Sequence, residues 1–144
     1  MHISIIAVGR IGNSIEAELV NRYCNRFNKL NKLIGLSLLQ IIEVDDKKYK
    51  TKTQQAKKIL EIITANSDMV IFDQKGKGVS SEDFTKFLSN QRDRGVKKQF
   101  FIIGGAFGLC SSLYKETTEI FSLGEMIWPH FLARVMVTEQ IYRS

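Results

Sequence analysis

The chain has 144 residues, 44% of them hydrophobic and 25% charged, with a formal net charge of +6. This is the balance of a folded domain and excludes a disordered tail; the length suits one domain, residues 1–144, with a core of its own. Cys24 and Cys110 are too few and too far apart for a disulfide scaffold or a zinc finger. No apolar run is long enough to cross a bilayer, and Met1-His2-Ile3-Ser4 places no basic leader before its apolar stretch. The expectation is a soluble cytoplasmic protein, kept reduced, with no metal and no membrane partner.

Ile3-Ser4-Ile5-Ile6-Ala7-Val8 reads as a first strand, closed by Gly9. Asn13-Ser14 offers a helix N-cap, and Ile15, Leu19, Tyr23 and Phe27 follow at steps of four as one apolar stripe. Leu36 to Val44 reads as a second strand, and Gln54 to Thr64 as a helix with Ile59, Leu60 and Ile63 on its apolar side. Met69-Val70-Ile71-Phe72 is a short apolar run ending in Asp73, and Gln74 to Gly78 reads as a turn. Ser80 with Asp83 resembles a capping box ahead of a helix whose face is Phe84, Phe87 and Leu88. Phe100-Phe101-Ile102-Ile103 is another apolar strand, running into Gly104-Gly105-Ala106-Phe107-Gly108. Ser111-Ser112 can cap a short helix through Thr117, and Ile120 to Leu123 reads as the last strand. Pro129, the only proline, opens a final helix through Leu132, Val135 and Met136, where its missing N–H costs least.

Strands and helices thus alternate, and several strands are continuous apolar runs. Such strands are covered on both faces, which predicts an α/β fold with a mostly parallel sheet flanked by helices. Ligands of these sheets sit beyond the carboxyl ends of the strands. The loops after Phe72-Asp73, Ile103 and Leu123 are therefore the candidate site. The basic excess lies elsewhere: residues 1–60 hold 11 Lys and Arg against 5 Asp and Glu, whereas residues 61–144 hold 10 of each. Lys47-Lys48-Tyr49-Lys50-Thr51-Lys52 is the densest patch, suited to touching phosphates without reading sequence. A well-solvated surface is the ordinary explanation.

The glycine loop is the strongest local signal. Its spacing is not G-x-G-x-x-G, and no G-x-x-x-x-G-K-[ST] occurs, so a dinucleotide dehydrogenase and a P-loop nucleotidase fit poorly. A tight strand-to-helix turn and a ligand-binding loop remain equal readings. Asp73 could meet a ribose hydroxyl, although a turn former is the commoner role. His130 at a helix start is expected neutral, as a hydrogen-bonding group or a core residue. Arg134 could clamp a phosphate or carboxylate, or be half of a buried ion pair. Trp128, the only tryptophan, could line an adenine pocket or simply pack. Cys24 reads as core, and Cys110 has no base beside it to make it a nucleophile.

The order Ile5-Ile6-Ala7-Val8-Gly9, then Asp73 with Gly76-Lys77 and Ser80-Ser81-Glu82, then Ile102-Ile103-Gly104-Gly105 and Gly108-Leu109 covers most of the chain. It ends with Trp128-Pro129-His130 and Arg134 through Glu139-Gln140-Ile141-Tyr142-Arg143. In combination these closely resemble the RlmH (YbeA) family of SPOUT-class methyltransferases. The resemblance implies an α/β sheet with a C-terminal trefoil knot, a homodimer, and S-adenosylmethionine (S-adenosyl-L-methionine) bound in the knot. It also implies methylation of N3 of a pseudouridine in 23S (large-subunit) ribosomal RNA on the assembled ribosome. By position, the cofactor contacts fall on Phe72, on Gly104 and Gly105, and on Leu123, Gly124, Glu125, Met126, Ile127 and Trp128. His130 is the first choice of base, and Arg134 would grip an RNA phosphate or orient the site. The family usually has Leu at position 72 and Ser and Lys at positions 124 and 125, changes that backbone contacts would tolerate. It has a longer loop over Asp45 to Lys57, and it continues past Ser144 with a short tail ending in Tyr-His and a basic residue. The second expectation follows from that tail: a ribosome- or RNA-binding protein of the same fold, without turnover.

Overall fold

The computed structural model describes residues 1–31 and 37–144. Five strands, β1 (His2–Val8), β2 (Leu39–Val44), β3 (Ser67–Gly78), β4 (Lys98–Ile103) and β5 (Glu119–Ser122), form one parallel sheet in the order β2-β1-β4-β3-β5. Between and after them run α1 (Ile15–Leu30), α2 (Lys52–Ile62), α3 (Ser81–Asp93), α4 (Ser111–Glu116) and α5 (His130–Arg143).

Alternate residues of each strand explain the layers. Ile3, Ile5 and Ala7 face one side and pack with Phe27 of α1, Phe84 and Leu88 of α3, and Val137 and Ile141 of α5. Ile6 and Val8 face the other side, against Ala56 and Ile59 of α2 and Leu113 of α4. Each such fully buried aliphatic side chain contributes about 1.5–3 kcal/mol. Both faces being covered is why the strands read as unbroken apolar runs. Phe72, Phe84, Phe101 and Phe121 meet edge to face or tilted, with centroids 5.4–6.3 Å apart, and stiffen the sheet under the ends of β3 and β5.

Several boundaries differ from the sequence reading. Ile15 is 76% exposed, and the buried face of α1 is Ala17, Val20 and Phe27. The step-of-four stripe and this buried face share only Phe27. The helix expected from Gln54 starts at Lys52, because Thr51 caps it and Gln54 returns the bond to the Thr51 N–H. α5 buries Arg134, Val137, Thr138 and Ile141, while Leu132 is exposed. A helix apolar on most sides gives no stripe to read. The expected start of the second strand at Leu36 lies outside the described residues. Among the described residues, no helix is long and apolar enough to cross a membrane.

The expected turn over Gln74 to Gly78 is the largest correction. Val70 to Phe72 pair with Glu119 to Phe121, and then Lys77 and Gly78 pair with Phe121 and Ser122, so β3 meets Phe121 twice. Between the two meetings the backbone passes across β5 at Gly76. A Cβ on Gly76 would lie 2.6 Å from the Phe121 carbonyl carbon and 2.7 Å from the Ile120 carbonyl oxygen. Only a residue without a side chain fits, since rigid backbone stands opposite. Gly76→Ala should therefore lower unfolding free energy by about 2–3 kcal/mol. Gly78→Ala, with nothing within 4 Å of its Cβ, should leave it nearly unchanged. Denaturant unfolding of the two variants checks this, and equal midpoints would refute it.

Candidate functional site

A cavity of about 510 Å³ opens at the carboxyl ends of β3, β4 and β5. That volume is in the range of small-molecule sites. Its walls are the three loops the sequence marked. Phe72, Gly104, Gly105, Leu123, Gly124, Met126, Ile127, Trp128 and His130 all line it. Glu125 and Arg134 do not; the Glu125 carbonyl accepts a long 3.4 Å bond from Gln74 Nε2.

Each wall has a local cause. The Gly108 N–H donates to Gly105 O at 3.0 Å, closing a turn with Ala106 and Phe107 at its tip, and Gly108 takes φ +74°. A Cβ on Gly104 would stand 3.1 Å from Leu109 Cγ, and one on Gly105 would stand 3.1 Å from Val8 Cγ1. The space these glycines leave is therefore filled by protein, and their bareness lets the loop fold tightly onto β1. In the opposite wall, Ser122 Oγ donates to Gly124 O at 2.7 Å and accepts from the Gly124 N–H at 3.2 Å. Gly124 at φ +113° then turns the chain into Met126-Ile127-Trp128. Met126 and Ile127 are 69% and 79% exposed, and Phe107 across the mouth is 87% exposed. Trp128 lines the cavity and is not core.

Among the described residues, two ionisable side chains line the cavity, Asp73 and His130. Asp73 Oδ2 accepts from the Tyr114 hydroxyl at 2.6 Å, and Oδ1 accepts from the Lys75 N–H at 2.8 Å. The carboxylate is thus both the expected turn former and part of the cavity wall. Burial, then Asp73, push the Tyr114 phenol far above its usual range, so it stays a donor. Burial first, then the Arg134 guanidinium, push His130 below the ordinary imidazole value, against the pull of Asp46. A helix N-terminus favours the same neutral form. In the core of α1, burial pushes the Cys24 thiol up to about 11, leaving it unreactive. Hydrogen bonding to Ser112 lowers the Cys110 thiol, and the side chains that bond to it, Ser112, Thr53 and Ser111, are hydroxyls and not bases. No three His, Cys, Asp or Glu side chains among the described residues gather as a metal site.

Arg134, next to the cavity-lining Ala133 on α5, is itself 1% exposed. Its Nη1 donates to Glu43 Oε1 at 2.7 Å and its Nη2 donates to Gly9 O at 3.0 Å. Its ring neighbour Phe131 stands 5.4 Å away, and its Nε has no partner. Of the roles open to it in the sequence, the buried ion pair is the one formed here. The same Glu43 oxygen accepts from the Ile11 N–H at 2.9 Å. One carboxylate on β2 therefore ties the loop after β1 to α5, and with it His130. Glu43 was not singled out in the sequence, although one acid inside Ile41-Ile42-Glu43-Val44 is the kind of residue that needs a partner. Tyr114 carried no such signal.

Two outcomes follow. Arg134→Met should cost about 3 kcal/mol, the low end for a broken buried pair because Glu43 is 30% exposed, and adding Glu43→Gln should restore part of it. A double-mutant cycle by denaturant unfolding measures both terms. His130 should titrate below 6.5 by NMR. The unfolded chain then binds that proton first, so stability should fall as pH drops below 6.5 and fall less in His130→Gln.

Over residues 1–144 the chain matches the model of a family described as predicted SPOUT methyltransferase. It is similar to the ribosomal RNA large subunit methyltransferase H of Rhizobium etli, 36% identical over 148 residues, with 100% of this chain and 92% of that protein covered. The protein of the same name from Ruegeria pomeroyi is 37% identical over 144 residues, with the same coverage. That from Dinoroseobacter shibae is 35% identical over 144 residues, again covering 100% and 92%. A full-length family match and relatives at this identity agree with a site at the carboxyl ends of a parallel sheet: the chain belongs to the SPOUT methyltransferase family.

Proposed function

We propose that the chain is an S-adenosylmethionine-dependent enzyme that methylates N3 of a pseudouridine in large-subunit ribosomal RNA on the assembled ribosome. Residues 1–144 act as one catalytic domain, in a cytoplasmic homodimer. The observation that carries this reading is the cavity itself, three loop walls converging at the ends of β3, β4 and β5 in a chain of this family.

The residues fit the donor. The apolar wall of Leu123, Met126, Ile127 and Trp128 suits an adenine ring and a methylthio group. Backbone groups of Phe72, Gly104, Gly105 and Gly124 suit polar edges, which explains why side chains at 72 and 124 can vary. The bound donor supplies a methyl group on a sulfonium, already a strong electrophile. The protein's task is then to hold the acceptor nitrogen in line and to take its proton. His130, held neutral at the cavity wall, accepts that proton. Arg134 acts beneath it as a positioning residue, through Glu43 and the Gly9 carbonyl.

The remaining surface supports the partners. Lys47, Lys48, Lys50 and Lys52 are exposed just beyond the carboxyl end of β2, the strand at the far edge from β5, on the same carboxyl-end rim of the sheet as the cavity. They would bind RNA phosphates with strong salt dependence. Exposed Phe107, Met126 and Ile127 beside the cavity form an apolar surface that a second copy would cover. The knot belongs to this reading because the family implies it.

Titration with S-adenosylmethionine should change the emission of Trp128 and release heat, and mass mapping should find one new methyl on a pseudouridine of large-subunit RNA. No binding at millimolar donor would overturn the enzyme reading and leave an RNA-binding protein. Methyl found on transfer RNA alone would overturn the ribosomal one.

A further inference from the structure

We infer that Asp73 makes the cavity charge-selective: it favours the cationic methyl donor over the neutral thioether left after transfer, and Tyr114 is the positioning residue that holds it there. The inference rests on the reading that the cavity binds S-adenosylmethionine.

The argument starts from the cavity's charges. Of its two ionisable wall residues among those described, His130 is driven toward its neutral form, which leaves the Asp73 carboxylate as the formal charge of the wall. Its two hydrogen-bond donors are a phenol and a backbone amide, both uncharged. Neither Lys nor Arg forms an ion pair with Asp73 among the described residues. Neutral donors orient a carboxylate without cancelling its charge. The surrounding wall is largely apolar, which weakens screening and lengthens the reach of that charge.

The two ligands make this charge matter. Donor and by-product share adenine, ribose and amino-acid parts, and they differ by a methyl group and one positive charge. An apolar pocket discriminates a single methyl weakly. A fixed, uncompensated carboxylate discriminates the charge directly. It follows Phe72 in the wall after β3 and is not one of the apolar side chains of Leu123 and Met126 to Trp128, so its charge is separate from the groups suited to adenine. The bond from Tyr114 links it to α4, an element outside the cavity lining, and prevents the carboxylate from swinging out to solvent. The functional result is relief of product inhibition: the spent ligand loses its charge and with it part of its hold.

Calorimetric titration of S-adenosylmethionine and S-adenosylhomocysteine into the full chain, the Asp73→Asn variant and the Tyr114→Phe variant tests this. Asn keeps a carbonyl oxygen for the Lys75 N–H and turns an amide NH2 toward the Tyr114 hydroxyl, which can accept, so the charge goes while both partners stay in place. The ratio of donor to by-product affinity should fall on the order of ten-fold in Asp73→Asn and by a smaller factor in Tyr114→Phe. An unchanged ratio in Asp73→Asn, with both ligands bound, would overturn the inference and leave the methyltransferase reading standing. Failure of the donor to bind the unmodified protein would instead overturn that reading, and this inference with it.

Discussion

The close passage of two backbones at Gly76 governs the rest of the molecule. Where almost any other residue would hold the chains a side chain apart, a hydrogen atom lets β3 lie across the carbonyls of Phe121 and Ile120. That contact brings the end of β3 and the end of β5 into one place, and the loops that leave them become two walls of a single cavity. The third wall, after β4, closes against Val8 and Leu109 for the same reason, through glycines whose missing side chains are replaced by protein atoms. The site is therefore made less by reactive side chains than by where bare backbone permits chains to meet.

A second constraint works from below. The Arg134 guanidinium loses its water on burial and regains partners only in Glu43 and the Gly9 carbonyl. Such a pair adds little net stability compared with an apolar substitute, yet it accepts only one geometry. It fixes the first turn of α5, and with it the side of the cavity that carries His130, relative to the ends of β1 and β2. The basic loop beyond β2 is thereby held in a set relation to the cavity.

Much of this was legible in the sequence, for identifiable reasons. Strands buried on both faces must be apolar throughout, so β1, β3 and β4 announced themselves and gave the parallel sheet. The three loops at their ends followed from that topology, and eight of the nine residues expected to touch a cofactor line the cavity. Glu125 does not, because the turn at Gly124 directs the wall to Met126. What escaped the reading were interactions between residues far apart in the chain. Gln74 to Gly78 has turn composition, and nothing local reveals that its glycine is shaped to a strand about forty-five residues away. Arg134 on α5 finds Glu43 on β2 across 91 positions, and Tyr114 finds Asp73 across 41. Ile15 misled in the opposite way, since an apolar residue in step with a stripe was left in water.

The order of elements along the chain gives the cavity a place in time. Strands β1 to β4 precede residue 104, whereas β5, the turn at Gly124, the apolar wall and α5 all come from residues 119–143. During synthesis the earlier strands emerge first, and the pocket gains its outer half only when the last segment is released and docks at the sheet edge beside β3. Non-local pairings of this kind form slowly. A nascent or prematurely ended polypeptide that lacks residues 119–143 thus keeps the other four strands but not the apolar wall of the cavity.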